Sequence, residues 1–190
     1  MLDELYCYPP DFTVLKNKFE ITNQESLDKV ERLYATQRIR EVCPSGNFDL
    51  DHLKAIHHHI FQDVYNWAGE VRLVEISKGE SDFLPSSRID MAMNSIHKKT
   101  IGKRYFQDLD QNTFAKLVAE IIGDINYIHP FREGNGRTQL IYLQQLSAKA
   151  GHALALETIN REEWIKASIS AQNTDYEGMF RCILKSMVKA

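Results

Sequence analysis

The chain has 190 residues, 43% of them hydrophobic, with 23 basic and 26 acidic side chains for a formal charge of -3. That length supports one well-buried core, and nine glycines and five prolines are scattered without a Ser/Gly or Pro-rich tract that would mark a linker between two domains. The charge balance argues against nucleic acid bound through a broad basic surface. Cys7, Cys43 and Cys182 are widely spaced and form no CxxC, which excludes a zinc signature or disulfide framework and fits a reduced compartment.

The opening "MLDELYCYPPDF" lacks a basic region followed by an apolar stretch, and no run reaches membrane-spanning length, so a cytoplasmic location is expected. Residues 1–48 are expected to form an N-terminal helical segment, with a helix over 24–41, packing on a single globular unit of residues 49–188. Asp49 is placed to cap "LDHLKAIHHHIFQDVYNWA", in which Leu53, Ile56, Ile60, Phe61 and Val64 share a face. The "HHH" at 57–59, with His52, raises a metal-dependent hydrolase as one reading. Successive helical residues point about 100° apart, so the three cannot converge on one ion; His57 is expected inward and the other two outward.

"EVRLVEISKGESDFLP" (70–85) departs from helical spacing. Val71 and Leu73, then Val74 and Ile76, alternate before the turn sequence "KGES", and the pattern resumes at Phe83. A small β-hairpin is predicted, either lying over a groove where it can pair with an incoming extended segment or serving as an ordinary surface connection. A helix over 87–101 follows, and the basic run "HKKTIGKR" (97–104) reads as its solvated end.

The strongest helix is "TFAKLVAEIIGDINYI" (113–128), with Phe114, Leu117, Val118, Ile121, Ile122, Ile125 and Ile128 on one broad face. Further helices are predicted over 137–150, from Asn160 with Trp164, Ile165 and Ile169 inward, and over 176–188. The predicted class is all-α with one small hairpin.

Between two of these helices lies "NYIHPFREGNGRTQL" (126–140), polar and glycine-bearing inside an apolar pattern. Gly134 and Gly136 permit positive φ and close approach of the backbone to a ligand, and the helix behind them points unbonded N–H groups at the loop. Together these suit a phosphate, with Arg137 adding a donor fork. Glu133 in an anion site calls for a cation, and Mg²⁺ bridging a carboxylate to nucleotide phosphates is the usual arrangement. His129, stopped by Pro130, is matched to removing a proton from an attacking hydroxyl; the plainer alternative is a helix-ending histidine beside the C-terminal dipole. "GNGRT" lacks the spacing and the lysine of a Walker A loop.

"HPFREGNGRTQL" closely resembles the signature of Fic proteins, H-x-F-x-[D/E]-G-N-G-R-x-x-R, at every specified position but the last. The resemblance extends through "DLDHLKAIHHHIFQDVYNWAGEVR", "ISKG" and "AGHALALETINREEW" to nearly the whole chain. It implies a helical domain that transfers AMP from ATP to a hydroxyl of a target protein and releases pyrophosphate. Carried over, His129 is the general base and Phe131 anchors the loop. Glu133 holds Mg²⁺, Gly134, Asn135 and Gly136 hold the α-phosphate region, and Arg137 meets the β-phosphate. The hairpin becomes a flap that docks the target segment, with Ser77, Lys78, Gly79 and Phe83 as its candidates, while Trp164 and Gln172 are candidates for the adenine side.

The departure is Leu140, where the family pattern has an arginine that engages the γ-phosphate and the glutamate of an inhibitory helix. Arg132 is a nearby candidate phosphate ligand. The inhibitory pattern [S/T]-x-x-x-E-[G/N] is absent, since "TDYEG" (174–178) is one residue short. The resemblance therefore implies either an active transferase like the toxin of a toxin–antitoxin pair, with a separate small antitoxin and the ATPase subunits of gyrase and topoisomerase IV as targets, or a non-catalytic nucleotide-responsive interaction module of the same fold.

Overall fold

The computed structural model describes residues 3–78 and 81–188. Among these there are seven α-helices and one two-stranded antiparallel ribbon. The helix α4 (Gln111–Ile128) is the axis of the fold. Asp110 opens it two residues earlier than the apolar pattern suggests, its carboxylate accepting the N–H groups of Asn112 and Thr113, a cap that contributes about 1 kcal/mol. Four helices surround it: α3 (Ile89–Gly102), α5 (Asn135–Ala150), α6 (Arg161–Ala171) and α7 (Glu177–Ser186). That enclosure explains the wide apolar face, of which only Leu117 remains half-buried. None of the described helices is long and apolar enough to cross a membrane.

On the other side of α5 lies α2 (Leu50–Phe61), and α1 (Gln24–Arg40) packs outside α2. Asn23 and Asp49 cap α1 and α2 with their side-chain oxygens. The N-terminal segment is tied down at several points: Lys18 donates its N–H to the Val64 carbonyl at 2.8 Å, and Arg38 grips Asp63 with both Nε and Nη2. All three cysteines are free thiols.

The structure corrects three expectations. The second helix stops at Phe61 instead of running to Ala68: Val64 and Tyr65 both turn their N–H groups back to the Phe61 carbonyl, and Ala68 and Glu70 then donate three residues back, to Tyr65 and Trp67, so the helical ladder gives way to successive turns although Val64, Tyr65, Trp67 and Ala68 stay buried. Ile165 and Ile169 are 40% and 56% exposed, since α6 meets α4 and α7 along a narrow seam of Trp164, Ala167 and Ala171. The hairpin is also shorter than predicted. Only β1 (Ser77–Lys78) and β2 (Ser81–Asp82) pair, while Leu73 is exposed and the Arg72 N–H donates to Pro130 in the loop after α4. The start of the 70–76 run is thus bonded to the loop, and only its end, where Ile76 accepts the Phe83 N–H at 3.4 Å, meets the opposite arm of the hairpin.

Candidate active site

His129 ends α4 in the left-handed conformation, φ 47° and ψ 65°, with its own N–H still bonded to Ile125. Its Nδ1 lies 3.1 Å from the Asn126 carbonyl. A carbonyl only accepts, so the proton sits on Nδ1 and Nε2 is the basic nitrogen. Phe83, buried at the end of the hairpin, stacks on the imidazole with centroids 3.8 Å apart and planes 19° from parallel. The ring proposed for target docking is therefore in contact with the candidate base.

The loop that follows is braced from inside. Phe131 is fully buried and stacks on His57 at 3.9 Å, the anchoring position expected of it. Asn135 accepts the Phe131 N–H at 2.9 Å and donates to the Phe131 carbonyl at 2.7 Å, so its side chain closes the loop and only its backbone N–H could serve a ligand there. His57 receives the Gly69 N–H at Nδ1 and donates from Nε2 to the Glu133 carbonyl at 2.9 Å. With His59 bonded to Arg38 O and His52 to Phe48 N and Gln145, three of the four histidines of α2 serve as struts while His58 is exposed, and no three metal-ligating side chains gather among the described residues.

Burial of His57 pulls its pKa down to about 3, with Arg137 and His58 adding to the effect and the bond to Glu133 opposing it. A histidine neutral when folded and protonated when unfolded stabilises fully above its unfolded pKa of about 6.5, and stability falls as the pH drops from there toward 3. The expected loss is about 1.4 kcal/mol per pH unit over that window. Urea titrations at pH 7.5, 5.5 and 4.5 should show this slope in the wild type and a shallower one in His57→Gln.

Gly134 (φ 83°) is the turn into α5, and an added Cβ there would lie 2.3 Å from the Phe61 ring. Gly136 has open space where a Cβ would stand. The first N–H groups of α5 therefore open onto the loop, with only that of Thr138 turned back to Gly134. Arg137 projects from this first turn over Phe61, at 4.6 Å from its ring centroid, and its Nη2 lies 2.6 Å from Glu31 and 4.0 Å from Glu133. Glu133 is half-exposed, with one carboxylate oxygen receiving the Gly134 N–H. One accessible carboxylate beside a helix N-terminus that could hold phosphate is a donor set that fits Mg²⁺, which takes most of its remaining ligands from water and phosphate.

Arg132 and Leu140 do not join this group. Arg132 is engaged by Asp3 at 2.5 Å and by the Cys7 sulfur at 3.8 Å, and Leu140 packs half-buried against the core. Ser77 is exposed and pairs with Asp82, Lys78 pairs with Ser81, and Gly79 lies outside the described residues. Trp164 is buried in the α6 seam, and Gln172 caps the C-terminal end of the same helix about 12 Å along its axis.

Besides Glu31, Arg72 at the site went unread in the sequence. Arg72 has no exposed side-chain surface and donates to the carbonyls of His129 (2.8 Å), Ile128 (3.3 Å), Val74 (2.8 Å) and Leu84. It joins both arms of the hairpin to the end of α4. Its only signal was a charged residue between Val71 and Leu73 in a strand-like run.

A family model described as Fic/DOC matches residues 47–147, the span from the start of α2 almost to the end of α5. The chain belongs to the Fic/DOC family. It is 36% identical to a probable protein adenylyltransferase, y4lH, of Sinorhizobium fredii over 92% of this chain and 91% of that protein. It is 35% identical to the protein adenylyltransferase VbhT of Bartonella schoenbuchensis over 95% of this chain but 38% of that longer protein. Among solved structures, the N-terminal Fic domain of a putative cell filamentation protein from Bartonella quintana, with bound ADP, superposes with a TM-score of 0.88 at 26% identity, covering 99% of this chain and 96% of that one. In this Fic fold the candidate base, the N-terminal end of α5 and the hairpin all meet at the α4–α5 loop.

Proposed function

We propose that the chain is a protein adenylyltransferase. The observation that carries the proposal is the juxtaposition, within one loop, of an imidazole with Nε2 as its basic nitrogen and a helix N-terminus bearing Arg137. The adenylyltransferase names of its Fic relatives and the ADP bound by a related Fic domain support the same reading.

The hydroxyl oxygen of the target attacks the α-phosphorus of ATP. As that P–O bond forms, the bond from the α-phosphorus to the α,β-bridging oxygen breaks and pyrophosphate leaves, while the hydroxyl proton passes to His129 Nε2. The N–H groups at the start of α5 hold the phosphates, and Arg137 offsets charge on the departing pyrophosphate. Glu133 would hold Mg²⁺, which when bound neutralises phosphate charge and orients the leaving group. The ribbon offers a short backbone edge on which a target segment can pair, beside the Phe83–His129 stack.

Leu140 supplies no charge to a γ-phosphate, a loss of about 1.5–3 kcal/mol relative to an arginine contact. That observation favours the second reading, a nucleotide-binding module without turnover. Transfer of label from ATP marked at the α-phosphate decides between them, using wild type, His129→Ala and Leu140→Arg against a cell lysate. The ATPase subunits of gyrase and topoisomerase IV would serve as the first purified targets. Wild-type labelling that falls at least a hundredfold in His129→Ala is expected. Labelling by Leu140→Arg alone would mean that Leu140 holds a competent scaffold at rest. Silence in both, with nucleotide still bound, would sink the transferase reading in favour of the binding module.

A further inference from the structure

Outside the matched span 47–147, α1 reaches into the site through one side chain, Glu31. Its Oε1 receives Arg137 Nη2 at 2.6 Å, and its Oε2 receives the hydroxyl of Tyr65. Tyr65 is itself buried and stacked on Trp67 at 4.3 Å, and burial first, then the Glu31 charge, raises its pKa, so the phenol stays protonated and donates. The carboxylate is thus fixed at both oxygens and only 14% exposed. Arg137 is held in turn by its edge on Glu31 and its face on Phe61.

We infer that Glu31 is a positioning residue for Arg137, holding the guanidinium where it meets the phosphate beyond the α-phosphate; this rests on the site reading given under Proposed function. A guanidinium carries five N–H donors, and among the described residues only the Nη2 end of Arg137 is hydrogen-bonded. Glu31 therefore constrains a long, rotamer-rich side chain while leaving most of its fork for an anion. A competing role, in which Glu31 occupies the place of a phosphate, predicts the opposite effect of neutralising it.

The test is calorimetric affinity for ATP, ADP and AMP with Mg²⁺ present, in wild type, Glu31→Gln, Arg137→Ala and the double variant, with a thermal melt on each. Glu31→Gln keeps the shape and an acceptor for Arg137, and its amide N–H can donate to the Tyr65 hydroxyl oxygen in place of the bond it loses, so it should fold. It is expected to weaken ATP and ADP about fivefold to tenfold and AMP less than about twofold, with no further loss in the Arg137→Ala background. Tighter ATP binding by Glu31→Gln would overturn the inference in favour of competition. Equal loss across the three nucleotides, or an undiminished loss without Arg137, would overturn it in favour of a general structural effect. If wild type binds the three alike, or Arg137→Ala changes nothing, the reading of the phosphate site fails first and the assignment of Glu31 falls with it.

Discussion

An Arg72→Met variant is expected to lose about 3–5 kcal/mol of stability and, with it, label transfer. The methionine fills much of the arginine's volume but offers no donor to the carbonyls of Ile128, His129, Val74 and Leu84. Each buried acceptor left without a partner costs about 1–3 kcal/mol, less where water can enter. Burial pulls the Arg72 pKa below its ordinary value, with the Glu75 charge working the other way, yet arginine remains charged at neutral pH. Those carbonyls therefore solvate a buried cation. Arg72→Lys keeps the charge but presents a compact ammonium where a planar fork spans both arms of the hairpin, so it should fall between wild type and Met. Urea midpoints measure the stability term. Hydrogen exchange of the His129 and Leu84 N–H groups measures whether hairpin and helix end loosen together, and unchanged exchange in a destabilised variant would refute the coupling.

Gly134→Ala should be the most damaging methyl group in the loop. A left-handed φ costs a β-carbon about 1 kcal/mol, and the 2.3 Å approach to Phe61 adds about 1–3 kcal/mol of overpacking. The ring cannot retreat cheaply, because it is fully buried against His57 and carries the Arg137 guanidinium on its face. A shift of Phe61 therefore moves Arg137, and ATP affinity should fall along with the urea midpoint. Gly136→Ala is the control: its Cβ meets nothing within 4 Å, so the fold should hold and any lost affinity reports on the approach of ligand to that backbone. In a Phe61→Leu background the cost of Gly134→Ala should shrink, and an undiminished cost would assign the damage to φ alone.

The helices were legible from their periodicity, and four of the seven described helices also from local chemistry at the start. Asn23, Asp49, Asp110 and Asn160 cap with their own side chains, and Gly151 ends α5 at φ 90°. The loop was legible for a related reason: a base, a carboxylate, two glycines and an arginine fall within ten residues, so chain connectivity alone keeps them close. Where sequence reasoning failed, distant partners decide. The 3.6-residue pattern of α6 places Ile165 and Ile169 on an apolar stripe, but the width of the seam with α4 and α7 is set by the neighbours, and they leave both exposed.

The sequence by itself determined the mainly helical class, the position of the loop and the family to which the chain belongs, since these rest on caps, periodicity and residues adjacent along the chain. Only the tertiary structure decided that Asn135 braces the loop, that Arg132 turns to Asp3, that Arg72 joins the hairpin to the end of α4, and that Glu31 grips Arg137. Each of those is a polar side chain whose partner lies on another element or across a turn, and residue type cannot say which buried donor will meet which acceptor until packing has removed the water between them.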